Sequence, residues 1–162
     1  MTLVELHAAL NDFPPALIVA SVVFDLWGAA KRRDDFFTVS YWCLIAGAAM
    51  GILAVASGLL AEDQVRQTPV THQILENHET LGIALGALFA ALAGWRIWRK
   101  NALSPVERQS YTMISLTGAL AMLWLAHLGG TLVYRHAAGV PSDVLQQELR
   151  ERADSSSNKR TQ

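Results

Sequence analysis

The chain has 162 residues, of which 52% are hydrophobic and only 17% are charged, and its mean hydropathy is +0.25. This composition is typical of a membrane protein and excludes a domain with an ordinary polar surface. The formal net charge of −1 excludes a basic surface for nucleic acid, so no nucleic-acid partner is expected. The single cysteine excludes an intramolecular disulfide and covalently attached c-type haem.

The first predicted element is a short N-terminal amphipathic helix over residues 2–11. Leu3, Leu6, His7 and Leu10 share one face at helical spacing, so we expect this helix to lie on the membrane surface. Four apolar segments follow, each long enough to cross the hydrocarbon core of a bilayer. Their predicted bounds are about 14–30, 36–60, 69–98 and 105–136.

Two of these segments have marked beginnings, because Thr68 precedes Pro69 and Ser104 precedes Pro105 with Glu107 in the first turn. The predicted fold is all-α, a four-transmembrane-helix bundle within a domain of residues 1–140. Residues 141–162 form a flexible polar C-terminal tail, in which a helix is expected only from about 142 to 152.

Basic residues predict the orientation of the bundle. Lys31, Arg32 and Arg33 follow the first segment, and a second basic cluster separates the third and fourth segments. The positive-inside rule places both clusters in the cytoplasm. We therefore expect a multi-pass protein of a bacterial inner membrane with both termini in the periplasm. The second cluster is Arg96, Arg99, Lys100 and Arg108, and the opposite side offers Arg66 and Arg135.

All five histidines then fall at the periplasmic end. Counted from the cytoplasmic ends of their segments, His78 and His127 lie at nearly the same depth, and His72 and His136 form a second level farther out. The first helix places His7 between the two levels. The asymmetry indicates a site for a cofactor, although a histidine near a membrane interface is often simply a hydrated amphipathic side chain.

Two histidines facing each other across a bundle can provide both axial ligands of a haem iron. The depths favour His78 with His127 as the metal ligands of one or two b-type haems. Gly82 follows His78 by one turn and Gly130 follows His127, so both could provide room for a macrocycle, and Arg135 could contact its propionates. Asp25, alone in its apolar segment, is expected to be paired within the bundle, with a proton-carrying role as the alternative.

The end of the fourth segment carries a more specific pattern. Its run Gly129-Gly130-Thr131-Leu132-Val133-Tyr134-Arg135-His136 resembles the closing signature of a bacterial membrane family catalogued as domain of unknown function 2231. His7 with Phe13-Pro14 resembles the opening of that family, and His78 lies where the family usually has a histidine. The resemblance covers about residues 5 to 140. Ala8, Asp12 and His127 depart from the family pattern.

The resemblance implies a four-helix membrane fold with histidines at the outer side and binding of b-type haem, without implying an activity. It gives weight to His7, His78 and His136 as ligands. Bundle geometry favours His78 and His127, so the two arguments agree only on His78.

The resulting hypothesis is a membrane b-type cytochrome-like subunit that carries electrons through bis-histidine haem near the periplasmic face. Its expected partners are the lipid bilayer and a larger respiratory or photosynthetic complex or a periplasmic redox partner. One alternative is a cofactor-free accessory subunit, and another is a chlorophyll-binding subunit, which uses one histidine per pigment. The sequence contains no catalytic constellation, so an enzyme is not expected, and a zinc or copper site lacks the usual carboxylate or sulfur spacing.

Overall fold

The computed structural model describes residues 2–65 and 68–160, with side chains described to residue 155, so Arg66 lies outside the described residues. Within them the chain forms six α-helices and one 3₁₀ turn. The helices are α1 (Leu3–Asn11), α2 (Phe13–Lys31), α3 (Asp34–Ala61), α4 (Pro69–Trp98), α5 (Pro105–His136) and α6 (Ser142–Arg160), and the 3₁₀ turn is Glu62–Gln64.

Four stretches of helix are long and apolar enough to cross a membrane: Leu3–Lys31, Asp34–Gln64, Pro69–Trp98 and Pro105–His136. A span needs about 20 residues, so each has several residues in excess. The described chain is therefore an all-α membrane bundle, as the sequence predicts. Compared with the predicted bounds, α2 and α3 each begin and end one or two residues further out.

The ends of the helices follow from local side-chain chemistry. Thr68 and Ser104 each accept a hydrogen bond from the third helical residue, and a proline occupies the first turn of α4 and of α5. The α4–α5 turn ends α4 with two left-handed residues, Lys100 and Asn101 (φ 50° and 60°). Asparagine tolerates this conformation better than most residues do, which suits Asn101 to the turn.

The four long helices form a closed ring in which α2 packs on α3, α3 on α4, α4 on α5 and α5 back on α2. Consecutive helices are antiparallel, so the α2–α3 and α4–α5 turns lie at one end, named here the inner end. The opposite, outer end carries α1 and the 3₁₀ turn. Apolar side chains from all four helices, including Ile18, Leu44, Phe89 and Leu125, fill the centre.

Helix α1 extends the line of α2 instead of lying flat on a membrane surface. Gly28 lies against Phe37, Gly47 against Ile18, Gly51 against Pro14 and Gly58 against His7. Each step back along α2 and α1 is thus matched by an equal step forward along α3, so one antiparallel register continues across Asp12. The expected surface location of α1 is corrected, because its apolar face packs on α3.

A buried ion pair joins the helices near the inner end. Arg96, with 0% of its surface exposed, donates from Nη1 to both carboxylate oxygens of Asp25 at 3.3 and 3.0 Å. The same nitrogen lies 2.9 Å from Ser40 Oγ and 3.3 Å from the Tyr111 hydroxyl. Nη2 donates to the Phe37 carbonyl at 3.0 Å, so one guanidinium connects four transmembrane helices.

The remaining donors of Arg96 reach the α4–α5 turn, where Nε and Nη2 lie 3.0 and 2.6 Å from Asn101 Oδ1. The ion pair confirms the predicted pairing of Asp25 within the bundle. It also corrects the use of Arg96 in the orientation argument, since a buried, neutralised guanidinium is not a free charge at the membrane surface. Lys31, Arg32 and Lys100 remain exposed at the inner end.

The tail is helical over a longer stretch than predicted, since α6 continues to Arg160. Contacts one turn apart support it, with Gln147 Nε2 donating to Glu151 at 3.0 Å and Arg152 lying 3.8 Å from Glu148. Within the described part of the chain α6 packs against no other helix, so it is a peripheral addition to the bundle.

Replacing Arg96 with methionine should lower the free energy of unfolding by about 3–5 kcal/mol, because the Asp25 carboxylate is left buried without its partner. Adding Asp25→Asn should recover part of this loss. Arg33→Met is the matched control, since Arg33 pairs with Asp35 at a largely exposed site. Denaturation of the purified variants in detergent micelles measures the effect, and equal losses for Arg96→Met and Arg33→Met would contradict it.

Candidate functional site

The outer end of the bundle contains a groove with two histidines in its wall. His7 comes from α1 and His78 from the third turn of α4, and both rings are partly buried. Their ring centroids lie 6.5 Å apart, and the ring planes are nearly perpendicular at 87°. The structure thus brings His7 to the level of His78.

His7 is held by α3. Its Nδ1 lies 3.0 Å from the carbonyl oxygen of Ala54 and 3.2 Å from Ser57 Oγ. The Ser57 hydroxyl donates to the same Ala54 carbonyl at 3.0 Å, which leaves its oxygen free to accept. A carbonyl can only accept, so Nδ1 of His7 carries the proton and Nε2 of the neutral ring has an available lone pair.

His78 is held in the same way by α5. Its Nδ1 lies 3.2 Å from the carbonyl oxygen of Leu125, so this ring also donates through Nδ1 and keeps Nε2 unprotonated. Histidines that bind metals usually have their second nitrogen tied to a carbonyl or carboxylate in this manner, which sets the tautomer and the ring orientation. Both rings therefore have the hydrogen bonding of a pair of metal ligands.

Two glycines allow the rings to approach the helices. A Cβ atom at Gly58 would lie 3.0 Å from His7 Cε1, and one at Gly129 would lie 3.1 Å from His78 Cε1. Both distances are shorter than ordinary carbon–carbon contacts of about 3.5–4.0 Å. A side chain at either position would push the ring away from the carbonyl that orients it.

The groove has a cavity volume of about 120 Å³ and is partly open to its surroundings. Its wall is mostly apolar and includes the predicted Gly82, together with Gly51 and Gly86. The polar side chains around it include Glu62 and Glu79, and no lysine or arginine lines it among the described residues. Both imidazoles therefore lie in a largely apolar wall.

The spacing of the two rings can be compared with that of two imidazoles that share a metal. A metal between two imidazole nitrogens, each about 2 Å away, holds the ring centroids roughly 6 Å apart, close to the observed spacing. Within the described residues there is no group of three or more histidine, cysteine, aspartate or glutamate side chains that could hold a metal ion. A macrocyclic ligand that provides its own equatorial donors requires only the two histidines.

The other predicted site residues lie elsewhere. His127 is on the exposed face of α5 and stacks on Trp124, with ring centroids 5.2 Å apart, so the structure does not bring it to His78. His136 and Arg135 are exposed at the end of α5 and do not line the groove. Gly130 is partly buried, and the nearest atom to its Cβ position belongs to Tyr134 at 3.9 Å.

His72 is exposed in the first turn of α4, outside the groove lining. Sequence reasoning missed the carbonyls of Ala54 and Leu125 and the Ser57 hydroxyl. It also missed Gly58, which leaves room for the His7 ring. A signal for Gly58 was present, since Gly51 and Gly58 are seven residues apart and so share one face of α3. The main-chain carbonyls have no sequence signal.

In protein free of ligand, the neutral rings of His7 and His78 should both be Nδ1–H tautomers, because each Nδ1 faces a carbonyl that can only accept. Nuclear magnetic resonance of ¹⁵N-histidine-labelled protein in micelles measures the tautomer, with His7→Ala and His78→Ala assigning the signals. An Nε2–H tautomer at either ring would contradict the geometry. The ¹⁵N signals of His127, whose ring stacks on Trp124 at the exposed face, serve as the reference for those of His7 and His78.

Gly58→Ala should lower the free energy of unfolding by about 1–3 kcal/mol, because the added methyl group overpacks against the His7 ring. Gly94→Ala is the control, because a Cβ atom there meets nothing within 4 Å. Its effect should stay within about 1 kcal/mol. The two variants can be compared by denaturation in the same detergent, and a Gly58→Ala protein as stable as Gly94→Ala would count against a tight seat for His7.

The comparisons with known proteins agree with the fold and extend over nearly all of the bundle. No curated protein and no solved structure matches the chain significantly. A family model described as "Predicted membrane protein (DUF2231)" matches residues 4–142, from α1 to the beginning of α6. The chain therefore belongs to the predicted membrane protein family DUF2231.

Proposed function

We propose that the protein is a b-type cytochrome-like electron carrier in which His7 and His78 ligate haem within the outer groove. The observation that carries the proposal is the pair of imidazoles, 6.5 Å apart and each tied through Nδ1 to a main-chain carbonyl. A histidine retained only for packing has no need of a second histidine at this spacing and with this orientation.

In this proposal the protein binds the haem and orients the two rings that ligate it. The Ala54 and Leu125 carbonyls keep the proton on Nδ1, so the lone pair of each Nε2 stays available. The same hydrogen bonds increase the basicity of the rings. The glycines of α3 and α4 line the largely apolar groove beside the two rings.

Haem held by these two histidines would supply one-electron chemistry. This chemistry favours an electron carrier over an enzyme. The paired rings also favour haem over chlorophyll, whose magnesium takes a single protein ligand. A cofactor-free accessory subunit is the competing proposal, and it has no need of the two anchored rings.

The proposed location is a bacterial inner membrane, with the outer end and both termini in the periplasm. Exposed Lys31, Arg32 and Lys100 at the inner end support this orientation, since cytoplasmic loops are rich in lysine and arginine. With this orientation the groove would lie near the periplasmic face, where a redox partner or a larger respiratory or photosynthetic complex could exchange electrons with it.

The test is to express the chain in a host supplied with haem and to compare five proteins: wild type, His7→Ala, His78→Ala, His127→Ala and His136→Ala. The wild type should show a reduced-minus-oxidised spectrum of the b type and about one haem per chain in a pyridine haemochrome assay. The haem content of His7→Ala and His78→Ala should fall at least tenfold, because each substitution would remove one of the two rings proposed to hold the haem. His127→Ala and His136→Ala should retain it.

The variants that lose haem distinguish the alternative ligand pairs and the alternative functions. Loss in His127→Ala but not in His7→Ala would restore the pairing expected from the sequence and overturn the pairing proposed here. Folded wild-type protein without haem would overturn the cytochrome proposal, and pigment extraction would then distinguish a chlorophyll-binding subunit from a cofactor-free one.

A further inference from the structure

The inner end of the bundle carries cations that the chain itself does not neutralise. Lys31, Arg32 and Lys100 are exposed and form no ion pair within the described residues. Arg108 has its guanidinium carbon 3.7 Å from the centre of the Phe37 ring, and it forms no ion pair within that part of the chain either. Cations at the end of a transmembrane bundle lie at the level of the lipid headgroups. They are therefore available to an anion that comes from outside the chain.

The two turns of the inner end differ in their balance of charge. In the α2–α3 turn, residues 31–35, three basic residues are followed at once by two aspartates. Around the α4–α5 turn, outside the buried ion pair, three basic residues are accompanied by one carboxylate; they are Arg99, Lys100, Arg108 and Glu107. The surplus of positive charge is therefore larger at the α4–α5 turn.

Arg99 leaves most of its hydrogen-bonding capacity unused. Its Nη2 donates to Glu107 Oε2 at 3.0 Å. Its Nε is buried and has no acceptor among the described residues. A guanidinium has five N–H donors in a planar fork that matches the oxygens of a phosphate. Because a buried donor without an acceptor is costly, the Arg99 guanidinium suits an acceptor that the chain does not provide.

Apolar surface adjoins these donors. Trp98 directly precedes Arg99 and is 80% exposed, and Val106 directly precedes Glu107 and is 74% exposed. Both residues lie at the ends of helices that are long and apolar enough to cross a membrane. Tryptophan at this level is typical of the interface between membrane and water. A phosphate bound by Arg99 would thus have apolar surface beside it, which suits a phospholipid better than a soluble phosphate.

We propose that Trp98, Arg99, Lys100 and Val106, named here the inner corner, bind an anionic phospholipid. Arg99 and Lys100 contact the phosphate of the headgroup, and the acyl chains lie against Trp98 and Val106. An anionic lipid is favoured over a zwitterionic one, because a zwitterionic headgroup carries an ammonium group that offsets its phosphate. The inner corner lies at the opposite end of the bundle from the groove, so this proposal goes beyond the proposed function and does not depend on haem.

Native mass spectrometry tests the inner corner. The full chain is released from micelles that contain equal amounts of phosphatidylglycerol and phosphatidylcholine with the same acyl chains. The wild type should retain phosphatidylglycerol at least about tenfold in excess, because two unneutralised cations attract it. The double variant Arg99→Gln/Lys100→Gln should lose this preference, and Lys31→Gln/Arg32→Gln should keep it. The second variant is the matched control, since it removes two positive charges from the other turn of the same end.

The outcomes separate a defined site from a general attraction of lipid to the basic inner end. Equal losses in the two double variants, or no preference in the wild type, would overturn the inner corner. Lys100→Gln alone changes an exposed side chain and should lose part of the preference, so it serves as the test if the double variant does not fold. Added inorganic phosphate should not displace the lipid, and displacement would overturn the assignment to a phospholipid. A protein without haem would overturn the proposed function and leave the lipid measurement unaffected.

Discussion

A single guanidinium determines how the four transmembrane helices fit together. Arg96 is completely buried, and its donors are distributed to Asp25 on α2, Ser40 on α3, Tyr111 on α5 and Asn101 in the α4–α5 turn. A charge removed from water and from lipid headgroups is costly unless every donor has an acceptor. Sliding or rotating any one helix would leave part of this network unpaired, so the network specifies a single register at the inner end.

The inner end is filled by a hydrogen-bonded network, whereas at the outer end small residues leave space between the helices. Gly51, Gly82 and Gly86 line a groove instead of filling it, while Gly58 and Gly129 let two imidazoles approach main-chain carbonyls. The Arg96 network fixes the relative positions of the helices at the inner end. The same helices can therefore leave a groove between them at the outer end. The inner hydrogen-bond network and the outer groove are therefore two parts of one arrangement.

The sequence located several members of the site and misplaced others for one geometric reason. The spacing of Gly82 from His78 predicted its place beside the site, and the lone charge of Asp25 in an apolar segment predicted its pairing within the bundle. Counting residues along a helix gave the depth of each histidine. Depth says nothing about the direction in which a side chain points. His127 has nearly the depth of His78, yet it faces outward against Trp124, whereas its neighbour Leu125 turns its carbonyl to His78.

What the sequence determined by itself was local or periodic. Apolar length marked four spans, capping residues marked the beginnings of α4 and α5, and short turns made neighbouring helices antiparallel, which placed the histidines at one end. Only the tertiary structure decided that Arg96 is buried, that α1 continues the line of α2 and that His7 faces His78. These features depend on the rotation of each helix about its axis, and that rotation is set by packing and hydrogen bonds between residues that lie far apart in the chain.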